Sequence, residues 1–182
     1  MSGRLVVVGG GARSGKSRFA LEAAQRRVLG PRVFIATAEA LDDEMRERAA
    51  RHRAERGDAF TTLEEPLDVC SSVASSGAAA IVVDCLTLWI SNLLLAGRPA
   101  ASILGEVERL IGAARAARAT TWIVTNEVGM GVVPETPLGR AFRDLAGRAN
   151  QLVAAAADEV YLGTMGLILR LKPSALSGGD AP

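Results

Sequence analysis

The 182 residues include one histidine, two cysteines and only 4% aromatics, and each scarcity removes a class of function. Cys70 and Cys85 form no C-x-x-C pair and have no histidine close by, so neither a zinc site nor a disulfide framework is indicated and a reducing cytoplasm fits. Charge of one sign is lacking too: 21 Lys and Arg against 20 Asp and Glu leave a formal net charge of +1. A nucleic-acid binder needs a cluster of unpaired cations to release counterions, so no nucleic-acid partner is expected. No charged leader, long apolar stretch or small-residue cleavage site opens the sequence, so neither membrane insertion nor secretion is expected. Lysine occurs only at Lys16 and Lys172, so a lysine at position 16 departs from an otherwise arginine-rich habit.

What is abundant is aliphatic. A hydrophobic share of 49%, mostly Ala, Val and Leu, suits buried strands and stacked helices in one compact unit. Strand-like runs fall at Leu5–Val8, Val33–Ala36, Phe60–Glu64, Ala80–Asp84, Thr121–Thr125, Glu159–Leu162 and Leu167–Leu171. Helical spacing is expected over Lys16–Arg27, Ala38–Glu55, Leu67–Ser75, Leu86–Leu95, Ser102–Arg118 and Leu138–Ala156. This alternation predicts a single α/β domain over residues 1–173 with a mostly parallel sheet flanked by helices. The Ser/Gly/Pro-rich residues 174–182 read as a flexible tail.

Between the first strand and first helix lies Gly10-Gly11-Ala12-Arg13-Ser14-Gly15-Lys16-Ser17, which satisfies G-x-x-x-x-G-K-S in the strand–loop–helix context the P-loop requires. Glycines let backbone N–H groups turn toward phosphate oxygens, and the helix start adds unsatisfied donors and the positive end of a dipole. A P-loop nucleotide-binding enzyme using ATP or GTP is therefore expected. Lys16 should reach the β- and γ-phosphates, and Ser17 should ligate Mg²⁺. Asp84, ending an apolar strand, is the natural second anchor for Mg²⁺, directly or through water. A helix-capping aspartate is the alternative for Asp84.

His52 lies among arginines, in Arg48-Ala49-Ala50-Arg51-His52-Arg53-Ala54-Glu55-Arg56. Two readings stand open from the residues alone: a solvated surface histidine, or a neutral imidazole nucleophile whose arginine neighbours gather phosphate charge. The Gly-containing segment Asn126–Glu135 reads as a mobile loop at a strand's C-terminal end, where open α/β sheets bind ligands, although an ordinary connection is the alternative. Arg140, Arg143 and Arg148 share one predicted helix and read as solvated or as contacts to phosphate or a neighbouring subunit.

Taken together, the P-loop through Arg18, Ile35-Ala36-Thr37-Ala38, Leu41-Asp42-Asp43-Glu44-Met45, Arg48, His52-Arg53, Glu64-Glu65-Pro66, the run Val124 to Glu135 and the run Phe142 to Gln151 carry a family likeness. The chain resembles the bifunctional adenosylcobinamide kinase/adenosylcobinamide-phosphate guanylyltransferases of cobalamin biosynthesis. Thr125-Asn126-Glu127-Val128-Gly129-Met130-Gly131-Val132-Val133-Pro134-Glu135 is the most specific segment. The resemblance implies a RecA-like sheet, a homotrimer, and two reactions: phosphorylation of the aminopropanol hydroxyl of adenosylcobinamide, then transfer of GMP from GTP to that phosphate through a GMP-histidine. It puts His52 at the nucleophile position. It also puts GTP contacts on the P-loop, on Thr37, Ala38 and Glu39, on Arg53, Ala54, Glu55 and Arg56, and on Glu64 and Asp84. Gly57 and Phe60 stand where the family often has Pro and Trp.

Overall fold

Seven strands form one sheet in the computed structural model, which describes residues 2–39, 47, 53 and 57–173. In chain order they are β1 (Arg4–Gly10), β2 (Arg32–Ala36), β3 (Thr61–Glu64), β4 (Ala80–Asp84), β5 (Thr120–Val124), β6 (Glu159–Thr164) and β7 (Leu167–Lys172). The helices are α1 (Lys16–Arg27), α2 (Val69–Ser75), α3 (Leu86–Leu95), α4 (Ala100–Ala116) and α5 (Pro137–Ala156). All seven expected strands are present. Of the helix expected over Ala38–Glu55, Ala38 and Glu39 are not helical, because they continue the chain out of β2, and Glu47 and Arg53 are helical; its other residues and the tail 174–182 lie outside the described residues.

The strand order is β3-β2-β4-β5-β1-β6-β7. Every neighbouring pair is parallel except β6 with β7. The exception is local: Met165 (φ 52°) and Gly166 (φ 79°) both take positive φ, the conformation of a two-residue hairpin turn, so β7 folds straight back on β6. Parallel strands instead need long crossovers, which the helices supply.

Strand side chains alternate between two cores. Leu5, Val7, Ile35, Ile81, Val83 and Ile123 face one way, onto Val73, Trp89, Ile90, Ile103, Val107, Leu110 and Val153 of α2 to α5. Val6, Val8, Phe34, Val82, Trp122 and Val124 face the other way, onto Ala20, Ala23 and Ala24 of α1 and onto Phe60. Burial on both faces explains why these strands read as unbroken apolar runs. Alanines on the inner face of α1 let that helix lie close to the sheet, which fixes where its N-terminus points. Helix α4 starts at Ala100, two residues before the expected Ser102. Pro99 occupies its N-cap with φ −62°, an angle its ring already imposes.

Parallel pairing sets the C-terminal ends of β1 to β6 along one edge of the sheet. Register pairs Gly10 with Gly163, Ala36 with both Glu64 and Asp84, and Asp84 with Val124. Strand β5 therefore sits between the P-loop strand and the Asp84 strand.

Candidate active site

The P-loop leaves β1 through glycines that nothing else could replace without a shift. Gly10 has φ 150°, and a Cβ there would lie 2.4 Å from the Gly163 carbonyl oxygen and 2.7 Å from Ser14 Oγ. Gly15, the N-cap of α1, has φ 88°, which L side chains rarely adopt. With glycine there, no side chain caps α1, and its first turn contains no acidic residue. The first-turn N–H groups and the positive end of the dipole are therefore left without a side-chain cap or a carboxylate of the first turn, as an anion-binding helix start requires.

Lys16 is buried, with Nζ donating to the Gly11 carbonyl at 3.0 Å. Its ammonium is thus folded back across the loop. Ser14 is 5% exposed, and its Oγ has no hydrogen-bond partner. An unpaired buried hydroxyl costs about 1–3 kcal/mol. Such an atom fits a loop that binds a polyoxygen ligand. Gly11, Ala12 and Arg13 are exposed, and Ser17 is half-buried at the start of α1.

Across the edge, Asp84 ends β4 half-buried. It does not cap the next helix: Cys85 is the N-cap of α3, with its Sγ accepting from Leu88 N–H at 3.5 Å, so the capping alternative for Asp84 is set aside. Asp84 and Ser17 both offer hard oxygen donors at this edge, the donor type Mg²⁺ takes. Burial, with Asp84 adding to it, pushes the Cys85 thiol up to about 11, and burial likewise pushes Cys70 to about 11. Neither cysteine is an activated nucleophile.

Thr37 is fully buried, and its hydroxyl both accepts from Cys85 N–H (2.7 Å) and donates to the Cys85 carbonyl (2.8 Å). Its side chain is therefore spent on fixing the β2 and β4 ends together, while Ala38 and Glu39 just beyond are exposed at the edge. Asn92 of α3 holds the same turn, with Nδ2 donating to the Thr37 (2.8 Å) and Pro66 (3.1 Å) carbonyls. Glu64 ends β3 and pairs with Arg53, so two expected site residues meet each other there. His52, Ala54, Glu55 and Arg56 lie outside the described residues.

One cluster here joins Asn126 and Glu127 of the expected ligand loop to residues with no expected site role. At the end of β5, Asn126 N–H donates to Thr87 Oγ1 (2.7 Å), the Thr87 and Thr125 hydroxyls are 3.1 Å apart, and Thr125 Oγ1 donates to Asn150 Oδ1 (2.7 Å). Asn150 Nδ2 then donates to Glu127 Oε1 (3.0 Å) and the Asn126 carbonyl (3.3 Å). Glu127 N–H donates to the Gly10 carbonyl at 3.2 Å, tying the cluster to the P-loop. A sequence signal existed: Thr125-Asn126-Glu127 is a polar run closing a buried apolar strand, as Asp84 closes β4. Its anchor, Asn150, lies 23 residues beyond Glu127 on α5, a separation only the fold spans.

A family model described as cobinamide kinase / cobinamide phosphate guanyltransferase matches residues 6–171 of the chain. The chain is 40% identical over 185 residues to the bifunctional adenosylcobalamin biosynthesis protein CobU of Salmonella typhimurium, covering 92% of this chain and 99% of that protein. It is 39% identical over 184 residues to CobU of Escherichia coli, with the same coverage of each. It is 42% identical over 165 residues to the bifunctional adenosylcobalamin biosynthesis protein CobP of Pseudomonas aeruginosa, covering 90% of this chain and 94% of that one.

Proposed function

The chain belongs to the cobinamide kinase / cobinamide phosphate guanylyltransferase family of P-loop enzymes, and from that premise we propose how its residues divide two reactions on adenosylcobinamide between them. The observation that carries the reading is the P-loop itself, with its uncapped helix start, the unpaired Ser14 hydroxyl and Lys16 turned inward.

In the kinase step the loop N–H groups of Gly10 to Ser17 and the Lys16 ammonium hold the triphosphate of ATP or GTP in line with the aminopropanol hydroxyl. Catalysis there is positioning and charge stabilisation, with no covalent help from the protein. Mg²⁺, held by Ser17 and Asp84 directly or through water, would neutralise charge on the phosphates when bound. Exposed Ala38 and Glu39, and the Arg53–Glu64 pair, frame the rest of the nucleotide along the β2 and β3 ends.

In the guanylyl step the neutral His52 imidazole attacks the α-phosphorus of GTP. The N–P bond forms, the bond to the bridging oxygen breaks, and pyrophosphate leaves with the electron pair, stabilised by Lys16 and the loop donors. A phosphate oxygen of adenosylcobinamide phosphate then attacks the same phosphorus, releasing His52 and giving adenosylcobinamide-GDP. Arg53, the residue after His52 in sequence, is paired with Glu64 at this edge, which supports the placement. Ala54, Glu55 and Arg56 contribute to the GTP pocket in this reading.

A cytoplasmic homotrimer is part of the proposal. Leu167, Leu169 and Leu171 are 68%, 52% and 50% exposed on the edge strand β7, an apolar stripe suited to self-association. No helix among the described residues is long and apolar enough to cross a membrane.

The test is mass spectrometry after incubation with GTP. One added GMP on His52, acid-labile and alkali-stable, is expected, and His52→Ala should lose it while keeping kinase activity. Retention of the adduct in His52→Ala would remove His52 from the mechanism, and loss of both activities in a folded variant would contradict separate roles.

A further inference from the structure

Phosphorylating an alcohol releases a proton, and none of the groups assigned so far accepts it. Lys16 and the loop N–H groups are donors, and Asp84 is committed to the cation. Of the other carboxylates expected at this edge, Glu55 lies outside the described residues, while Glu64 is paired with Arg53 and Glu39 is exposed to solvent. Glu127 differs from both. It is half-buried at the end of β5, the strand directly beside the P-loop strand. Its N–H is bonded to the Gly10 carbonyl, and its Oε1 would lie 4.0 Å from a Cβ built on Gly9. The neighbouring Gly11 carbonyl holds Lys16 Nζ, so Glu127 stands on the side of the loop where the terminal phosphate is reached.

The carboxylate is also held in place. Oε1 accepts from Asn150 Nδ2, and Asn150 is fixed in turn by Thr125 and, through it, by Thr87, both nearly fully buried. Each hydroxyl in that chain donates toward Asn150, which fixes its amide orientation and aligns the bonds to strengthen one another. The second oxygen, Oε2, has no hydrogen-bond or ionic partner among the described residues. A carboxylate with one oxygen anchored and the other open is the arrangement a general base needs.

We propose that Glu127 is the proton acceptor of the kinase step, with Asn150 as its positioning residue; the proposal rests on the kinase reading above. As the substrate hydroxyl oxygen bonds to the γ-phosphorus, the bond from that phosphorus to the β–γ bridging oxygen breaks. The nucleoside diphosphate leaves with the electron pair, and the hydroxyl proton passes to Glu127 Oε2 and then to solvent. Guanylyl transfer uses a phosphate oxygen that carries no proton to remove, so it does not need this group.

The two half-reactions therefore separate the outcomes. Glu127→Gln keeps an oxygen for Asn150 to donate to and should lower kinase kcat about 10²–10⁴-fold, the usual worth of general base catalysis, with KM for nucleotide little changed. GMP adduct formation, and transfer to adenosylcobinamide phosphate supplied ready-made, should stay within a few fold of wild type. Glu127→Ala should be equally slow as a kinase, and added formate should restore part of its rate, a rescue that a purely structural role would not give. Kinase kcat in Glu127→Gln near the wild-type value would overturn the proposal. Equal loss of both half-reactions, or no formate rescue, would overturn it too. A wild-type protein with neither activity would instead sink the functional reading itself.

Discussion

Gly163→Ala reaches the nucleotide site from a neighbouring strand, through the P-loop residue Ser14. Gly163 lies on β6 opposite Gly10, and an alanine Cβ there would sit 3.0 Å from Ser14 Oγ, 3.3 Å from Ser14 Cβ and 3.2 Å from Ile168 Cδ1. Two of the three contacts are to the P-loop. On its other side Ser14 already lies against Gly10, where its Oγ is 2.7 Å from the position a Cβ would take. The added methyl therefore pushes the loop rather than a flexible side-chain tip. Overpacking of this kind costs about 1–3 kcal/mol. If about 1–2 kcal/mol of that must be recovered when the loop closes on phosphates, GTP affinity falls about 5–30-fold. Calorimetric titration with GTP and Mg²⁺ measures it. The double variant Gly163→Ala/Ser14→Gly removes both P-loop atoms of the three and should regain most of the affinity that the first substitution lost, a coupling that independent sites would not have. A GTP affinity within twofold of wild type in Gly163→Ala would refute the reasoning, as would a lowered melting temperature with unchanged affinity, which would put the strain on Ile168.

At the opposite end of the sheet, Asp158 and Glu159 set an acid limit on stability. Burial would raise both carboxyls, but Leu5 N–H and Arg115 outweigh it at Asp158, while the Tyr161 hydroxyl, Arg27 and Arg4 outweigh it at Glu159, so both lie below the usual range. Their contribution is complete above the unfolded-state values of about 4 and drains away as pH falls through the folded-state values. The urea midpoint should drop between about pH 6 and about pH 3, and Glu159→Gln should drop less over that span; identical falls in both proteins would contradict the linkage. Helix α4 offers a change of the other sign. A Cβ on Gly105 or Gly112 meets nothing within 4 Å, so alanine at each should stabilise by about 0.5–1 kcal/mol, about 1–4 °C in melting temperature. A lower melting temperature would mean that this face is covered in the assembled protein.

The strands and the phosphate loop were legible in the residues because their causes are local. An apolar run needs burial wherever it goes, and a G-x-x-x-x-G-K-S turn between strand and helix has one geometry that suits it. The place of Asp84, closing such a run at the end of β4, was legible for the same reason. Thr37 could be named from the family likeness, but what its hydroxyl holds could not be read locally, because the Cys85 backbone it bonds is 48 residues away. Glu127 stood in the sequence within a candidate ligand loop after a strand, but nothing nearby said which of that loop's groups would be held in place. Tertiary structure alone decided that: strand order put β5 beside the P-loop strand, and α5 brought Asn150 to grip one oxygen and leave the other open. Residue types and their local spacing determine which groups can do chemistry, whereas which of them meet depends on long-range packing that only the folded sheet imposes.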